Sequence, residues 1–184
     1  MAETNRRSNI DVFNRGIKSA KTLIKDNIIK RLKDAAEDLI KDAEFAQEYH
    51  NLTGNTLTSY AVGIYFQYSL VAIVTIRDVD GDTYKPTGPK LSKGGGWVEV
   101  EQFGTGEKVF ANTKTFEKTD MDYGYNTSHE FIQNYVPENG GFVIMMCTGT
   151  EYSSTLEYLG LNVLTETFQL SPRAFLSNLQ KIRL

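Results

Sequence analysis

The sequence predicts an α+β fold, with a long N-terminal helix, an antiparallel β-sheet carrying a long loop insertion, and a C-terminal helix. From about Asn9 to Tyr49 the chain holds no proline and is rich in Lys, Asp, Glu, Ala, Leu and Ile, which is helix composition. After Gly54 it changes abruptly to short runs of β-branched and aromatic residues. The apolar positions Phe168, Phe175, Leu176, Leu179 and Ile182 then fit one face of a closing helix. Helix, strands and helix in separate runs are the pattern of an α+β domain. A chain of 184 residues with 40% hydrophobic content supports one domain with a real core, so residues 1–184 read as a single unit.

Each element follows from local spacing. Ile28, Leu32, Ala35, Leu39, Ala43, Ala46 and Tyr49 alternate steps of four and three, which lines them up on one helical stripe. Val12, Phe13, Ile17, Ala20, Leu23 and Ile24 continue the pattern less strictly, and Gly16 leaves open one long helix or a short helix hinged onto a longer one. Lys30, Lys33, Asp34, Glu37 and Lys41 read as the solvated opposite face. Gly54-Asn55 ends the helical region with a turn. Strands are expected over Leu57–Phe66 and Leu70–Arg77, joined by Gln67-Tyr68-Ser69 as a hairpin turn. Asp78 to Gly96 gathers prolines and glycines and reads as a long exposed loop. Short alternating strands follow at Trp97–Glu101 and Lys108–Ala111. Thr127 is expected to cap a short helix to Tyr135, closed by Pro137. A strand over Phe142–Thr148, a segment Tyr152–Tyr158 and a β-like Leu161–Leu164 come next, and Pro172 sets the expected start of the last helix near Ser171.

Composition narrows the function classes. A formal net charge of -3 provides no general basic field, which argues against a dedicated nucleic-acid binder that works by neutralising phosphates. The single cysteine, Cys147, lies in the apolar run Gly141–Cys147 and reads as buried in a strand, and no disulfide can form within one chain. The polar start, Met1–Ser8, lacks the apolar core of a signal peptide, and no run of about 18 apolar residues marks a membrane span. The expectation is a protein made in the cytoplasm, and kept there or packaged into a particle.

Tests for chemistry return no constellation. His50 and His129 have no suggestive local partners. Asp78-Val-Asp-Gly-Asp82 resembles a calcium loop only at its start, since Thr83 stands where that loop needs glycine and Pro89 where it needs a bidentate glutamate. Lys93-Gly94-Gly95-Gly96-Trp97 reverses the order of a phosphate cradle and leads into a strand. Tyr123 and Tyr125 flank Gly124 with acidic neighbours, so they read as anchors or contact residues instead of a base-stacking platform. No catalytic residue, cofactor or metal is expected.

Two passages carry a resemblance to a known family. Ala35–Ala43 followed by Thr53-Gly54-Asn55 and then Ser59 is a helix, a threonine-glycine-asparagine turn and a strand with an early serine. Val143–Met146, Gly149, Tyr152, Glu157, Gly160 and Asn162-Val163-Leu164-Thr165 give a strand, a small-residue turn, an aromatic segment with glutamate, a glycine and a final step into a helix. In this order they resemble the tail-completion, or neck, proteins of lambda-like tailed bacteriophages. The family's arginine after the turn is replaced by Thr56-Leu57-Thr58, and the middle, about residues 79–138, reads as an insertion. The resemblance implies a non-enzymatic virion protein in a hexameric or dodecameric ring that joins tail to head. Its implied partners are copies of itself and other neck, portal or tail proteins, with double-stranded DNA only passing through the bore and no membrane. The alternative is a tail-hub or portal adaptor that grips its neighbours through the inserted loops.

Overall fold

The structure, a computed structural model, describes residues 2–49, 54–80, 97–101, 108–112, 122–151 and 153–182. Helix α1 runs unbroken over Ala2–Ala46, so Gly16 does not hinge it. The strict stripe at its C-terminal end lies in the core, with Leu32, Ala35, Leu39 and Ala43 all buried. Ala36 and Ile40, on the flank of that stripe, are buried as well.

The chain then passes through a one-turn helix, α2 (Asn55–Thr58), where the sequence predicts a strand from Leu57. The departure has a local cause. Gly54 takes φ 77, and the Thr58 amide and hydroxyl both donate to its carbonyl, at 2.8 and 2.9 Å, so the turn closes on itself before the strand begins. Strands β1 (Ala61–Phe66) and β2 (Ser69–Thr75) follow as an antiparallel hairpin. Its two-residue loop has Gln67 at φ 49 and Tyr68 at φ 69, the paired positive angles that match the right-handed strand twist. The predicted extension of β2 to Arg77 instead becomes helix α3 (Ile76–Asp80). Asp78 explains the stop, because its carboxylate accepts from the Thr75 amide at 2.7 Å and from the Thr75 hydroxyl at 2.8 Å.

Strands β3 (Trp97–Glu101) and β4 (Lys108–Asn112) form at the two predicted short runs, and they pair antiparallel in a two-stranded sheet of their own. The rest of the predicted loop, residues 81–96, lies outside the described residues. Helix α4 (Tyr123–Asn134) starts four residues before the predicted cap at Thr127, whose hydroxyl donates to the Tyr123 carbonyl at 2.9 Å inside the helix. Strand β5 (Phe142–Cys147) pairs antiparallel with β1, giving the sheet order β2-β1-β5.

Helix α5 (Ser153–Tyr158) occupies the aromatic segment, and helix α6 (Thr165–Leu179) closes the described chain. Two expectations change here. Leu161–Leu164 forms no strand, because it is the connection between these helices, with Val163 buried in the core and Leu161 and Leu164 packed partly buried against it. The last helix starts at Thr165 and includes Pro172. Pro172 has no N–H for the Phe168 carbonyl one turn back, and the Ser171 hydroxyl donates to that carbonyl at 2.8 Å instead.

The central strand is buried on both faces. Val62 and Ile64 face α1 and α6, where they join Leu32, Ala36, Ile40 and Val163. Ala61 and Tyr65 face α4 through Ile132. Gly63 is required there, since a Cβ would stand 2.7 Å from Ile132 Cγ2. The fold is thus an α+β sandwich, α1 and α6 on one face of the sheet and α4 on the other.

Candidate functional site

The residues singled out from the sequence meet at two junctions around β1. At the first, Gly54 begins α2 and Ser59 ends it. The Ser59 hydroxyl donates to the Thr56 carbonyl at 2.7 Å and shares a hydrogen bond with the Thr148 hydroxyl just past β5. Thr148 in turn meets Ser153 at 3.1 Å, Thr150 meets both Ser153 and Thr56, and Ser128 on α4 donates to the Ser59 carbonyl. Gly124 and Gly149 make room for this meeting of α2, α4 and the β5–α5 connection. A Cβ at Gly149 would collide with the Gly124 carbonyl and lie 2.6 Å from the Ser128 amide. Buried hydroxyls need partners, and here each finds another hydroxyl or a carbonyl. Thr53 and Tyr152 lie outside the described residues.

The second junction joins α5, α6 and the end of α1. Gly160, at φ 77, donates to the Glu157 carbonyl at 2.9 Å, and Leu161 donates to the Leu156 carbonyl at 3.0 Å, the paired bonds of a left-handed glycine C-cap. Asn162, at φ 34, turns the chain. Its side-chain amide donates to the Ala46 carbonyl at 3.0 Å and to the Glu166 carboxylate at 2.8 Å, while its Oδ1 accepts from the Glu166 amide at 3.1 Å. The Glu157 carboxylate accepts from the amides of Leu164 and Thr165 and from the Thr165 hydroxyl, which places a negative charge at the start of α6. Burial pushes the Glu157 carboxyl up, but the hydrogen bonds from Leu164, Thr165 and Val163 outweigh it and hold the group below its ordinary value. Tyr60 ties the two junctions together, with its hydroxyl 3.0 Å from the Val163 carbonyl and 2.9 Å from the Tyr49 hydroxyl.

Chemically, these groups hold chain segments in register. The serines of the first junction face hydroxyls and carbonyls, and among the described residues no base stands in hydrogen-bond contact with them of the kind a nucleophile needs. Burial raises the Cys147 thiol to about 11, with the Ser128 hydrogen bond opposing, which disfavours the thiolate at neutral pH. His129 stacks on Tyr125 with centroids 5.9 Å apart, and the Arg77 guanidinium lies 3.8 Å from the Tyr125 ring centroid while pairing with Asp122 at 2.5 Å. Tyr123 donates to Glu151 at 3.1 Å. Both tyrosines therefore anchor α4. Among the described residues no group of three or more His, Cys, Asp or Glu could hold a metal ion, and no described helix is long and apolar enough to cross a membrane. His50 lies outside the described residues.

Two surface features were not apparent in the sequence. The less regular apolar set on the first half of α1 faces water, with Val12, Phe13 and Leu23 each more than half exposed and Ile17 and Ile24 close behind. An open apolar groove of about 620 Å³ also runs between β5 and α6, lined by Ile144, Met146, Leu164, Phe168 and Phe175. Periodicity identifies an apolar face but not what covers it, and the groove depends on how α6 lies across the sheet. No known protein family, curated protein or solved structure matches the chain.

Proposed function

We propose that the chain is a structural subunit of a tailed-bacteriophage virion that assembles with copies of itself into a ring in the neck, completing the tail and joining it to the head. The observation that carries this reading is the first half of α1, a helix whose apolar residues are exposed among the described residues. Such contiguous apolar surface marks a contact with another chain. A subunit that presents one apolar feature and an unlike receptive surface elsewhere associates head to tail, which closes into a ring when the rotation permits.

The neck assignment rests on the resemblance, and the packing is consistent with it. Its two passages, distant in sequence, interlock through Thr56, Ser59, Thr148 and Thr150 at the end of the β1–β5 pairing. The roles of these residues are structural, as a ring subunit without turnover requires. A net charge of -3 suits a bore through which DNA slides without being gripped.

The mass of the purified protein in solution, with negative-stain images, tests the ring directly. Closed rings of six or twelve subunits are expected, and a strict monomer at high concentration would sink the reading. In an infection lacking the protein, packaged heads and tails should accumulate unjoined. Complete, infectious particles made without it would exclude the neck role.

A further inference from the structure

We infer that the exposed first half of α1 is an arm that seats in the β5–α6 groove of a second copy of this chain, so that each subunit gives an arm to one neighbour and receives one from the other. The inference rests on the ring reading and names its contact. The arm's own body cannot receive it. Helix α1 is continuous, its Leu32–Ala43 part is fixed in the core, and Gly16 makes no bend, so the arm leads away from the groove of its own chain. Residues 2–24 of a helix extend about 35 Å, enough to reach across a neighbouring subunit.

The two surfaces fit in chemistry. The arm offers Phe13, Ile17, Leu23 and Ile24. The groove offers Ile144, Met146, Phe175 and Phe168, the last 77% exposed among the described residues. Charge then selects the partner. The first thirty residues hold seven Lys/Arg and three Asp/Glu, a net of +4, so the remaining chain carries -7 of the total of -3. Arm against body brings opposite fields together. The seven-residue spacing of Ile10, Ile17 and Ile24 also fits a helix-to-helix bundle of arms, but that bundle sets positive helices side by side.

The test uses the full chain with Phe13→Glu on the arm and Phe168→Glu in the groove. Both positions are exposed, so thermal unfolding by circular dichroism should match the parent. Mass photometry should show rings for the parent and monomers for each variant. An equimolar mixture should give 1:1 heterodimers, because one intact arm meets one intact groove and the next contact is missing. Raising NaCl from about 0.1 to 1 M should weaken parent association by about tenfold or more. Rings that persist in Phe168→Glu, or a mixture without heterodimers, overturn the arm-in-groove contact and leave the ring standing. Binding to anionic vesicles that Phe13→Glu abolishes while ring size is unchanged overturns it too. A monomeric parent removes the ring reading itself.

Discussion

The Tyr60 hydroxyl donates to the carbonyl of Val163, joining the residue before β1 to the connection before α6 across 103 positions of sequence. It also meets the Tyr49 hydroxyl at 2.9 Å, so one buried phenol ties together the segment after α1, the first strand and the last helix. Burial raises its pKa to about 12, with the Tyr49 hydrogen bond opposing and the charges of Glu157 and Glu44 adding.

Replacing Tyr60 by phenylalanine should therefore cost about 1–2 kcal/mol, since the Val163 carbonyl loses its buried donor. Urea unfolding at neutral pH measures it. The folded pKa lies above the unfolded value of 10.0, so this contribution is intact below pH 10 and is lost as pH rises towards 12. The parent should lose stability over that window more steeply than Tyr60→Phe, and parallel slopes would show that the phenol is not buried as described.

Glu157→Gln should destabilise the chain by about 1 kcal/mol near neutrality, by weakening the carboxylate's hold on the first amides of α6. Here the folded pKa is depressed, so the stabilisation is present above the ordinary carboxylate value and disappears as pH falls through the folded one. Melting temperatures of the two proteins should converge in acid. An equal gap at pH 7 and pH 3 would assign Glu157 a role independent of its charge.

Two glycines give separable effects. Gly54→Val forces a branched side chain into φ 77 and should cost about 1 kcal/mol or more through backbone strain. Gly149→Ala keeps the side chain minimal, yet its Cβ meets the Gly124 carbonyl and the Ser128 amide, so a loss of about 1–3 kcal/mol is expected from overpacking. Unchanged unfolding of Gly149→Ala would mean that α4 stands farther from the β5–α5 connection.

Ser171 and Pro172 should prove coupled. Ser171→Ala removes the hydroxyl that donates to the Phe168 carbonyl and should cost about 1 kcal/mol, whereas in a Pro172→Ala background the restored amide takes its place and the serine matters less. A double-mutant cycle measures the difference, and strict additivity would count against the substitution of one donor for the other.

These positions also mark the limits of the sequence reading. The buried part of α1 was legible because Leu32, Ala35, Leu39 and Ala43 repeat at helical spacing, and the β1–β2 hairpin because branched and aromatic residues flank a short polar turn. The errors lie where a side chain overrides local propensity. Thr58 and Asp78 bond to nearby backbone and turn expected strand into helix at Leu57 and Arg77. Ser171 lets α6 run through a proline that should have begun it. Val163 belongs to a β-favouring run, yet that run connects two helices and packs on the core without strand pairing. Of the candidate residues, Gly54 and Gly160 were legible as turns, while the pairing of Ser59 with Thr148 depends on strand register across 89 positions and leaves no local trace.

Because α1 runs unbroken from the core to Ala2, the protein carries a lever whose fulcrum is the packed Leu32–Ala43 segment. A helix advances about 1.5 Å per residue, so its far end stands roughly 45 Å from Leu32, and a 10° tilt of the body sweeps that tip through about 8 Å. Repacking of a few side chains around Ala36 and Ile40 is thereby magnified into displacement at a distance. Gly16 is the one position inside the free span where the rod lacks a side chain, and Gly16→Ala would stiffen it by about 1 kcal/mol of helix propensity without touching the fulcrum.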